Sequence, residues 1–318
     1  MSRVLVTGAG GFVGAALVRE LARRGDTVTG CVRRLPAAPV DGVDYLTVDD
    51  ALEAPALDAA LARSDAVVHL VARTHSADLD DPRAAELYRR INVELTDALA
   101  ARSLRAGVGR FLFLSSVKVN GEETRGRPFR EDDPPRPEDL YGRTKLEAEQ
   151  ALAARAAGSR LGVTVVRPPL VYGPGVKANF RRLIGLVARG VPLPLGSVRN
   201  ARSLVGLGNL CDLVALALAH PAAAGETFFA ADATLSTPAL LRAIGTALGK
   251  PARLLPVPVG VLRLAARAAG REGEFRRLTG SLEVDAGKAA RLLGWRPPQS
   301  LEQGLAQAVV AWRREQAA

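Results

Sequence analysis

The stretch Thr7-Gly8-Ala9-Gly10-Gly11-Phe12-Val13-Gly14 lies between an apolar run, residues 3–7, and a segment with helical periodicity that continues to about Arg24. Glycines at 8, 11 and 14 are typical of a strand that turns directly into a helix and binds a dinucleotide. The first glycine permits the tight turn, the second lets the backbone approach a pyrophosphate, and the third allows close helix–strand packing. The start of such a helix also favours an anion, because its N–H groups are free. The stretch therefore predicts a phosphate-binding strand–loop–helix unit.

Short apolar runs alternate with longer amphipathic segments outward from this stretch. The pattern predicts strands at 3–7, 27–32, 45–48, 66–71, 110–114 and 163–166, and helices at 12–24, 55–63, 84–106 and 141–157. This alternation is typical of a parallel sheet covered by helices. Past Pro168 the chain becomes rich in Pro and Gly. We therefore predict an α/β Rossmann fold with a doubly wound parallel sheet over residues 1–167, a return segment near 198–222, and a smaller C-terminal substrate-binding region within 168–318.

Composition argues against several functional classes. The chain has 318 residues, 48% hydrophobic and 24% charged, which is ordinary for a soluble globular protein. The net charge is +10, but the basic residues are scattered and aromatic residues make up only 4% of the chain, so nucleic acid is not an expected partner. Cys31 and Cys211 lack metal-ligand spacing, so no metal is expected. No signal peptide is apparent, and the longest apolar run, 213–219, is too short for a bilayer. We expect a cytoplasmic protein with no membrane partner.

Tyr141 and Lys145 are candidate catalytic residues, because four residues on a helix place two side chains on one face. A phenol has a pKa near 10 and is a poor base unless a nearby cation favours the phenolate. Lys145 is predicted to supply that cation, which would make Tyr141 a proton shuttle for alcohol and ketone interconversion. Ser115 and Ser116 directly follow the strand 110–114, at the edge of the sheet where such folds bind ligands.

The residues after the second strand bear on the choice of nicotinamide cofactor. An NAD site usually has an Asp or Glu there, which binds the ribose hydroxyls. This chain has Arg33 and Arg34 instead, and guanidinium groups suit a 2′-phosphate. We therefore predict NADP(H) in preference to NAD(H). Asp49 and Asp50, after the third strand, are candidate contacts of the adenine end.

These motifs resemble the extended short-chain dehydrogenase/reductases, in particular the NAD-dependent epimerase/dehydratase enzymes that act on nucleotide sugars. The glycine spacing, the Tyr-x-x-x-Lys pair and a serine 25 residues before the tyrosine carry the resemblance. It extends over essentially the whole chain through four further segments: Asp65-x-Val-x-His69-x-x-Ala72, Asn92-Val93, Arg167-Pro168-x-x-Val171-Tyr172-Gly173-Pro174, and Lys288 with Leu293-Gly294-Trp295-x-Pro297.

The resemblance implies roles for individual residues. Ser116 would hydrogen-bond the reacting oxygen, Tyr141 would exchange its proton, and Lys145 would hold the ribose and lower the tyrosine pKa. Further implied cofactor contacts are Phe12, Val13, Leu70, Val71, Ala72 and Pro168, and implied contacts of a UDP-linked sugar are Ser115, Lys118, Asn179, Arg202 and Arg277 or its neighbour Arg276. His69 would pack near the cofactor, whereas Glu147 and Glu149 would face solvent or a partner subunit. A homodimer is also implied.

Three functions remain open at this point. Related dehydratases carry Asp-Glu after the active-site serine or threonine, whereas this chain has Val117-Lys118, so dehydration is not expected. With Arg33 and Arg34, the segment 115–121 favours NADPH-dependent reduction of a UDP-linked 4-keto hexose that is 6-deoxy or N-acetylated. The alternative is a UDP-hexose 4-epimerase with tightly bound NAD. A non-catalytic NADP(H) sensor is disfavoured, because Ser116, Tyr141 and Lys145 are all present.

Overall fold

The glycine stretch connects a strand and a helix in a computed structural model that describes residues 1–48, 55–74 and 82–317. The first unit consists of β1 (Arg3–Thr7), α1 (Phe12–Arg23) and β2 (Thr27–Val32), followed by β3 (Val43–Thr47). The elements that follow are, in chain order, α2 (Pro55–Leu61), β4 (Ala66–His69), α3 (Pro82–Arg89), α4 (Leu95–Arg105), β5 (Arg110–Leu114), α5 (Leu140–Ala156) and β6 (Gly162–Arg167).

The second half of the chain has shorter strands and more helices. Its elements are β7 (Leu170–Tyr172), α6 (Ala178–Ala188), β8 (Arg202–Gly206), α7 (Leu207–Ala219), β9 (Thr227–Phe229), β10 (Ala233–Leu235), α8 (Thr237–Leu248), α9 (Val259–Ala268), α10 (Glu272–Thr279), α11 (Gly287–Leu293) and α12 (Leu301–Ala317).

Seven strands form a parallel sheet in the order β3-β2-β1-β4-β5-β6-β9. The chain runs from β1 outward to β3 and then returns to β4 on the other side of β1. Thr7 pairs with His69 at the carboxyl ends of these two central strands. Open α/β sheets bind ligands at such a reversal of strand order. The predicted Rossmann α/β fold is confirmed, and the glycine stretch begins at the reversal.

Alternate residues of the central strands belong to two separate core layers. Val4 and Val6 of β1 pack with Leu17 of α1 and Leu213 of α7, whereas Leu5 packs with Leu99, Leu152 and other residues of the opposite layer. Successive side chains of a strand point to opposite faces, so helices on both faces bury the whole strand. Burial on both faces explains why the first strand is nearly uniformly apolar in sequence.

A smaller sheet in the order β10-β8-β7 forms part of the C-terminal region, where Phe180, Leu241 and Leu305 pack in a third core cluster. The chain passes back and forth between the two sheets. Thus α7 packs on the large sheet, and β9 pairs with β6 at its edge. The partly buried Phe12 packs against both cores. The division at residue 167 stays a prediction.

Two predicted elements differ from the structure near the site. The predicted helix 84–106 is interrupted by a π-helical turn, Arg90–Glu94, between α3 and α4. The predicted strand 66–71 ends at His69, so that Leu70 and the residues after it form the loop that faces the glycine stretch. Within the described ranges, no helix is both long and apolar enough to cross a bilayer.

Candidate active site

The glycine loop has the geometry of a dinucleotide cradle. Gly8 has φ +73, and a Cβ there would lie 3.2 Å from the Val71 backbone nitrogen. A Cβ on Gly14 would lie 2.1 Å from the Gly8 carbonyl oxygen, so any side chain would separate α1 from β1. Gly11 is the N-cap of α1, which has no side-chain cap and no acidic residue in its first turn. Free N–H groups at this end suit a pyrophosphate, so the residues present fit the dinucleotide cofactor.

The structure describes most of the other predicted cofactor residues. Leu70, Val71 and Ala72 are half-buried at the end of β4, next to Gly8. Arg33 and Arg34 follow β2, are exposed, and form no ion pair with any residue described. Pro168 is buried, and its carbonyl oxygen accepts a hydrogen bond of 3.0 Å from the Val117 nitrogen. Asp49 and Asp50 lie outside the described residues.

Ser116 and Tyr141 form the centre of the candidate catalytic site. The Ser116 hydroxyl lies close enough to Tyr141 to act on its pKa, although 25 residues of sequence separate them. Asp139 caps α5 by accepting a hydrogen bond of 2.7 Å from the Gly142 nitrogen, which sets the start of the helix that carries Tyr141. Burial raises the pKa of Tyr141, the Asp139 carboxylate adds to this effect, and the nearby Ser116 hydroxyl opposes it. Tyr141 is therefore a neutral phenol here, which differs from the lowered pKa that the resemblance implies.

Lys145 lies one turn further along α5 and is 1% exposed. Burial lowers its pKa to about 7, and the Glu149 carboxylate partly offsets the effect of burial. Its Nζ lies 3.8 Å from the centroid of the Phe113 ring, a cation–π contact that favours the charged form. Lys145 is therefore poised between its neutral and charged forms near neutral pH.

Glu149 is not a solvent-facing residue, so the expectation for it was wrong. Its carboxylate is buried and forms a bidentate ion pair with Arg167, at 3.0 and 2.5 Å. The same guanidinium donates a hydrogen bond of 3.0 Å to the Asn120 side-chain oxygen. Arg167 thus ties α5 to the loop that carries Ser116. The sequence did not predict this link. Glu149 fits a helix pattern and Arg167 fits the end of a strand, so neither segment indicates that the two residues pair.

His69 connects the glycine strand β1 to α4. Its Nδ1 lies 2.6 Å from the Thr7 hydroxyl oxygen and its Nε2 lies 3.0 Å from the Thr96 hydroxyl oxygen. Thr96 donates its proton to the Asn92 carbonyl oxygen, so His69 must donate from Nε2 and accept from Thr7. Full burial, and secondarily the nearby Lys145, lowers the His69 pKa to about 3. His69 is therefore a neutral connecting residue, and its packing near the cofactor stays a prediction.

Asn92 continues this chain of hydrogen bonds to the helix of Tyr141. Its side-chain nitrogen donates to the Thr144 hydroxyl oxygen at 2.9 Å, and Thr144 in turn donates to the backbone carbonyl oxygens of Leu140 and Tyr141. The Asn92 side-chain oxygen accepts from the Arg73 nitrogen at 2.8 Å. The π-helical turn that contains Asn92 gives this side chain its position, and such turns are frequent at functional sites.

Lys118, which stands where an acid would serve dehydration, forms its own carboxylate cluster. Its Nζ contacts Asp139 at 2.5 Å and Glu122 at 2.9 Å. Burial works against the charge of Lys118, but these two hydrogen bonds outweigh burial and raise its pKa. Lys118 is therefore a persistent cation close to the N-terminus of α5. The buried Ser115 hydroxyl, by contrast, has no hydrogen-bond partner among the described residues, which leaves it available to a ligand.

The predicted substrate residues are less tightly grouped than the catalytic ones. Arg202 at the start of β8 is partly buried and donates a hydrogen bond of 3.1 Å to the Gly280 carbonyl oxygen, and burial lowers its pKa. Arg277 is exposed on α10, close enough to Arg202 to lower its pKa further. The neighbouring Arg276 pairs with Glu138 at 2.9 Å. Asn179 is exposed at the start of α6.

A family model of NAD-dependent epimerases and dehydratases matches residues 4–231, well over half of the chain. The chain belongs to the NAD-dependent epimerase/dehydratase family. As an extended short-chain dehydrogenase/reductase of this family, the protein is an enzyme of an NAD(P)-dependent group. This result confirms the family predicted from the sequence motifs. Among the residues described, no cluster of His, Cys, Asp or Glu could hold a metal ion.

Several of the similar proteins are named as sugar 4-epimerases or were solved with a sugar nucleotide. The chain is 41% identical to a UDP-glucose 4-epimerase of Vibrio cholerae, over 97% of this chain and 95% of the relative. It is 29% identical to an N-acetyl-α-D-glucosaminyl-diphospho-ditrans,octacis-undecaprenol 4-epimerase of Escherichia coli O157:H7, over 81% of this chain and 77% of the relative. MoeE5, solved in complex with UDP-glucuronic acid and NAD, is 27% identical with a TM-score of 0.78, and the match covers 99% of each chain.

Proposed function

We propose that the protein is a nucleotide-sugar 4-epimerase that interconverts UDP-hexoses and uses NAD. The observation that carries this proposal is the 41% identity to the Vibrio cholerae UDP-glucose 4-epimerase over nearly the whole of both chains. The ketoreductase favoured from the sequence thereby becomes the second candidate. Both reactions need the same serine, tyrosine and lysine, so those residues support either one.

Each group of candidate site residues has a separate role in the proposed epimerisation. The glycine loop and the α1 N-terminus would hold the pyrophosphate of the dinucleotide, whose nicotinamide accepts and returns a hydride at the sugar C4. Tyr141 would take the proton of the C4 hydroxyl through its phenol oxygen and return it, while Ser116 donates a hydrogen bond to the same sugar oxygen. Lys145 in its charged form would stabilise the phenolate. Arg202 and Arg277 would bind the diphosphate of the substrate.

For this scheme to operate, binding of the dinucleotide must lower the pKa of the Tyr141 phenol. In the structure burial raises its pKa, whereas a working proton shuttle needs a pKa closer to the operating pH. Lys145 has a pKa of about 7, so anionic groups of a bound dinucleotide would shift it toward the charged form. We therefore propose that cofactor binding charges Lys145 and thereby activates Tyr141.

Reduction of a 4-keto sugar remains a second candidate because of the arginines after β2. Arg33 and Arg34 are exposed and form no ion pair in the described part of the chain, as a 2′-phosphate site would require. This observation favours NADP(H), and a freely exchanging NADPH suits a reductase better than an epimerase. Dehydration is not proposed for either cofactor, because Lys118 replaces the acid that would expel water.

The deciding experiment compares both reactions in one preparation. We expect purified protein to retain NAD and to convert UDP-glucose into UDP-galactose without added cofactor, as followed by chromatography of the sugar nucleotides. NADPH oxidation that depends on a UDP-4-keto sugar, with no interconversion of UDP-hexoses, would establish the reductase instead. The N-acetylated UDP-hexoses are included as substrates, because the identity of the sugar is part of the same proposal.

A further inference from the structure

The backbone of Lys118 connects the turn that carries Ser116 to the first turn of the helix that carries Tyr141. The Lys118 nitrogen donates a hydrogen bond of 3.3 Å to the Ser116 hydroxyl oxygen, which caps the short helical turn Val117–Val119. On α5, a Cβ added to Gly142 would lie only 2.6 Å from the Lys118 carbonyl oxygen. Lys118 therefore contacts Ser116 on one side and packs against the residue that follows Tyr141 on the other.

The side chain of Lys118 makes a second connection to α5, through the Asp139 carboxylate. Lys118 Nζ lies 2.5 Å from Asp139 Oδ2, while Asp139 Oδ1 accepts a hydrogen bond of 2.7 Å from the Gly142 nitrogen. One carboxylate thus caps the helix with one oxygen and binds the lysine with the other. Glu122 binds the same ammonium group at 2.9 Å. Lys118 and Asp139 are each 34% exposed, so salt and water screen this pair only in part.

The charge of Asp139 matters because this carboxylate precedes Tyr141 by only two residues. Burial raises the pKa of Tyr141 most, and the Asp139 charge raises it further. A negative charge beside a phenol disfavours the phenolate, which a proton shuttle must form at the operating pH. An ammonium group bound to the carboxylate opposes its field, so Lys118 limits the effect of Asp139 on the phenol.

Lys118 is the cation that forms the ion pair with Asp139. The other charged and titratable groups that act on this cluster come from four different elements: Tyr88 of α3 and Lys145 of α5 on the side of the phenol, and Arg202 of β8 and Arg276 of α10 near Glu122. The two arginines therefore act first on Glu122, whereas Lys118 acts directly on the carboxylate beside Tyr141.

We propose that Lys118 is a positioning residue of the active site, which neutralises the Asp139 carboxylate beside Tyr141 and fixes the Ser116 turn against the start of α5. The inference rests on the proposed role of Tyr141 as the proton shuttle, which epimerisation and ketone reduction share. It differs from the sugar contact that the family resemblance implies for Lys118, because two carboxylates already bind the ammonium group. An acidic residue at position 118 would instead repel Asp139.

The test compares the pH dependence of kcat in K118M, K118R, D139N and K118M/D139N. K118M keeps a long side chain but leaves Asp139 without this cation. The acid limb of epimerisation, where Tyr141 must lose its proton, should therefore move up by about one pH unit, while KM for the sugar nucleotide stays within a few-fold. K118R should keep the limb of the unmodified protein, because a guanidinium group also pairs with a carboxylate.

The double variant K118M/D139N separates the charge effect from a packing effect. Asn caps helices as well as Asp does, so D139N removes the charge and retains the cap. We expect K118M/D139N to return the limb to its position in the unmodified protein. A loss of packing alone would lower kcat at every pH, and D139N would not restore it.

The matched control is R143M, which removes a cation from an exposed residue of α5 two positions after Tyr141. Solvent screens that charge, so the limb should stay in place. An unshifted limb in K118M, or a double variant that keeps the limb of K118M, would overturn the proposal. A raised KM with an unshifted limb would also overturn it, because Lys118 would then be a substrate contact.

Failure of this inference is distinguishable from failure of the proposed function. If the unmodified protein reduces a 4-keto sugar and does not interconvert UDP-hexoses, Tyr141 donates the proton and the same variants should move the alkaline limb in the same direction. Denaturant unfolding needs neither substrate nor cofactor. There D139N should lower the midpoint less in K118M than in the unmodified protein, because the ion pair is already lost. Equal effects in the two backgrounds would overturn the proposal whatever the protein catalyses.

Discussion

Individual side chains in this site have ionisation states that depend on burial more than on their own chemistry. Tyr141 is held as a neutral phenol, Lys145 has a pKa near neutrality, and His69 stays uncharged. In each case burial is the largest cause of the shift, and it disfavours the charged form. A charged ligand is expected to shift the pKa values of these buried groups strongly, because little water is present to screen the added charge.

Replacement of Tyr141 by Phe tests the proton shuttle. The phenol oxygen is the only atom lost, so we expect kcat to fall by about 10² to 10⁴, while affinity for the dinucleotide changes little. Turnover and cofactor binding by fluorescence titration are the two measurements. S116A serves as the comparison and should reduce kcat without abolishing turnover. Activity of Y141F within a few-fold of the unmodified enzyme would show that another group moves the proton.

Lys145 should produce a measurable dependence of stability on pH. Its pKa is about 7 in the folded chain and 10.5 in its ordinary state. Between these values the unfolded chain binds a proton that the folded chain has released, so stability from this residue rises with pH. We expect Tm of the cofactor-free protein to contain a component that rises from about pH 7 to about pH 8.5, below the range where the buried cysteines contribute.

The variant K145M removes that ionisation and retains a long side chain. Its Tm should lack the rising component over this range, as measured by scanning calorimetry in matched buffers. R155M, which changes an exposed cation on the same helix, should retain the component. An identical slope in K145M and the unmodified protein would assign the pH dependence to another group.

At the scale of elements, two connections hold α5 in position. One is the hydrogen-bond chain from Thr7 through His69 and Thr96 to Asn92 and Thr144. The other is the buried pair Glu149–Arg167, which joins α5 to β6 and to the Ser116 loop. Both contain buried polar groups whose partners come from distant elements. The geometry of the catalytic residues therefore depends on α5 as a unit.

We expect the buried Glu149–Arg167 pair to affect the free energy of unfolding. E149A leaves the Arg167 guanidinium buried without its carboxylate, so we expect a loss of about 3–5 kcal/mol in the free energy of unfolding. The double variant E149A/R167M removes the buried charge as well and should recover a substantial part of that loss. Denaturant unfolding of E149A, R167M and the double variant provides the measurement. A double variant as unstable as the sum of its single changes would mean that the pair has no coupling beyond packing.

At the scale of the whole molecule, the parallel sheet brings distant parts of the chain to one edge. Thr7, His69 and Ser116 follow or end three adjacent strands, and α5 adds Tyr141 and Lys145. Parallel strands share the direction of their carboxyl ends, so residues from separate βαβ units converge there. The same arrangement leaves the outer faces of α4 and α5 together at the surface. There Asp97 and Arg155 pair at 2.8 Å beside a groove of about 450 Å³.

We predict that this α4/α5 surface forms a homodimer. Ala154 lines the groove and is exposed, so A154E would place a charge in the interface and produce a monomer. The adjacent Ala153 is exposed but does not line the groove, which makes A153E the matched control. Light scattering after size-exclusion chromatography measures the mass of each. Equal masses for A154E and the unmodified protein would exclude this surface as the interface.

The sequence by itself determined the fold class and the candidate chemistry, because both depend on local patterns. The spacing of glycines 8, 11 and 14 requires a strand–turn–helix, and the alternation of apolar runs requires a covered parallel sheet. Ser116, Tyr141 and Lys145 were recognised in the same way, from spacing and residue type. The bounds of most predicted elements agree with the structure to within a few residues.

Only the tertiary structure decided the environment of those residues. Burial of Glu149 against Arg167, the neutral His69, the π-helical turn around Asn92 and the place of β9 beside β6 all depend on contacts between residues far apart in the chain. Local patterns carry no information on such partners. The sequence around a helical glutamate is the same whether its carboxylate faces water or pairs with an arginine. The glycine stretch from Thr7 to Gly14 illustrates both levels. Its spacing predicted a phosphate cradle, and the pairing of β1 with β4 located that cradle at the reversal of strand order.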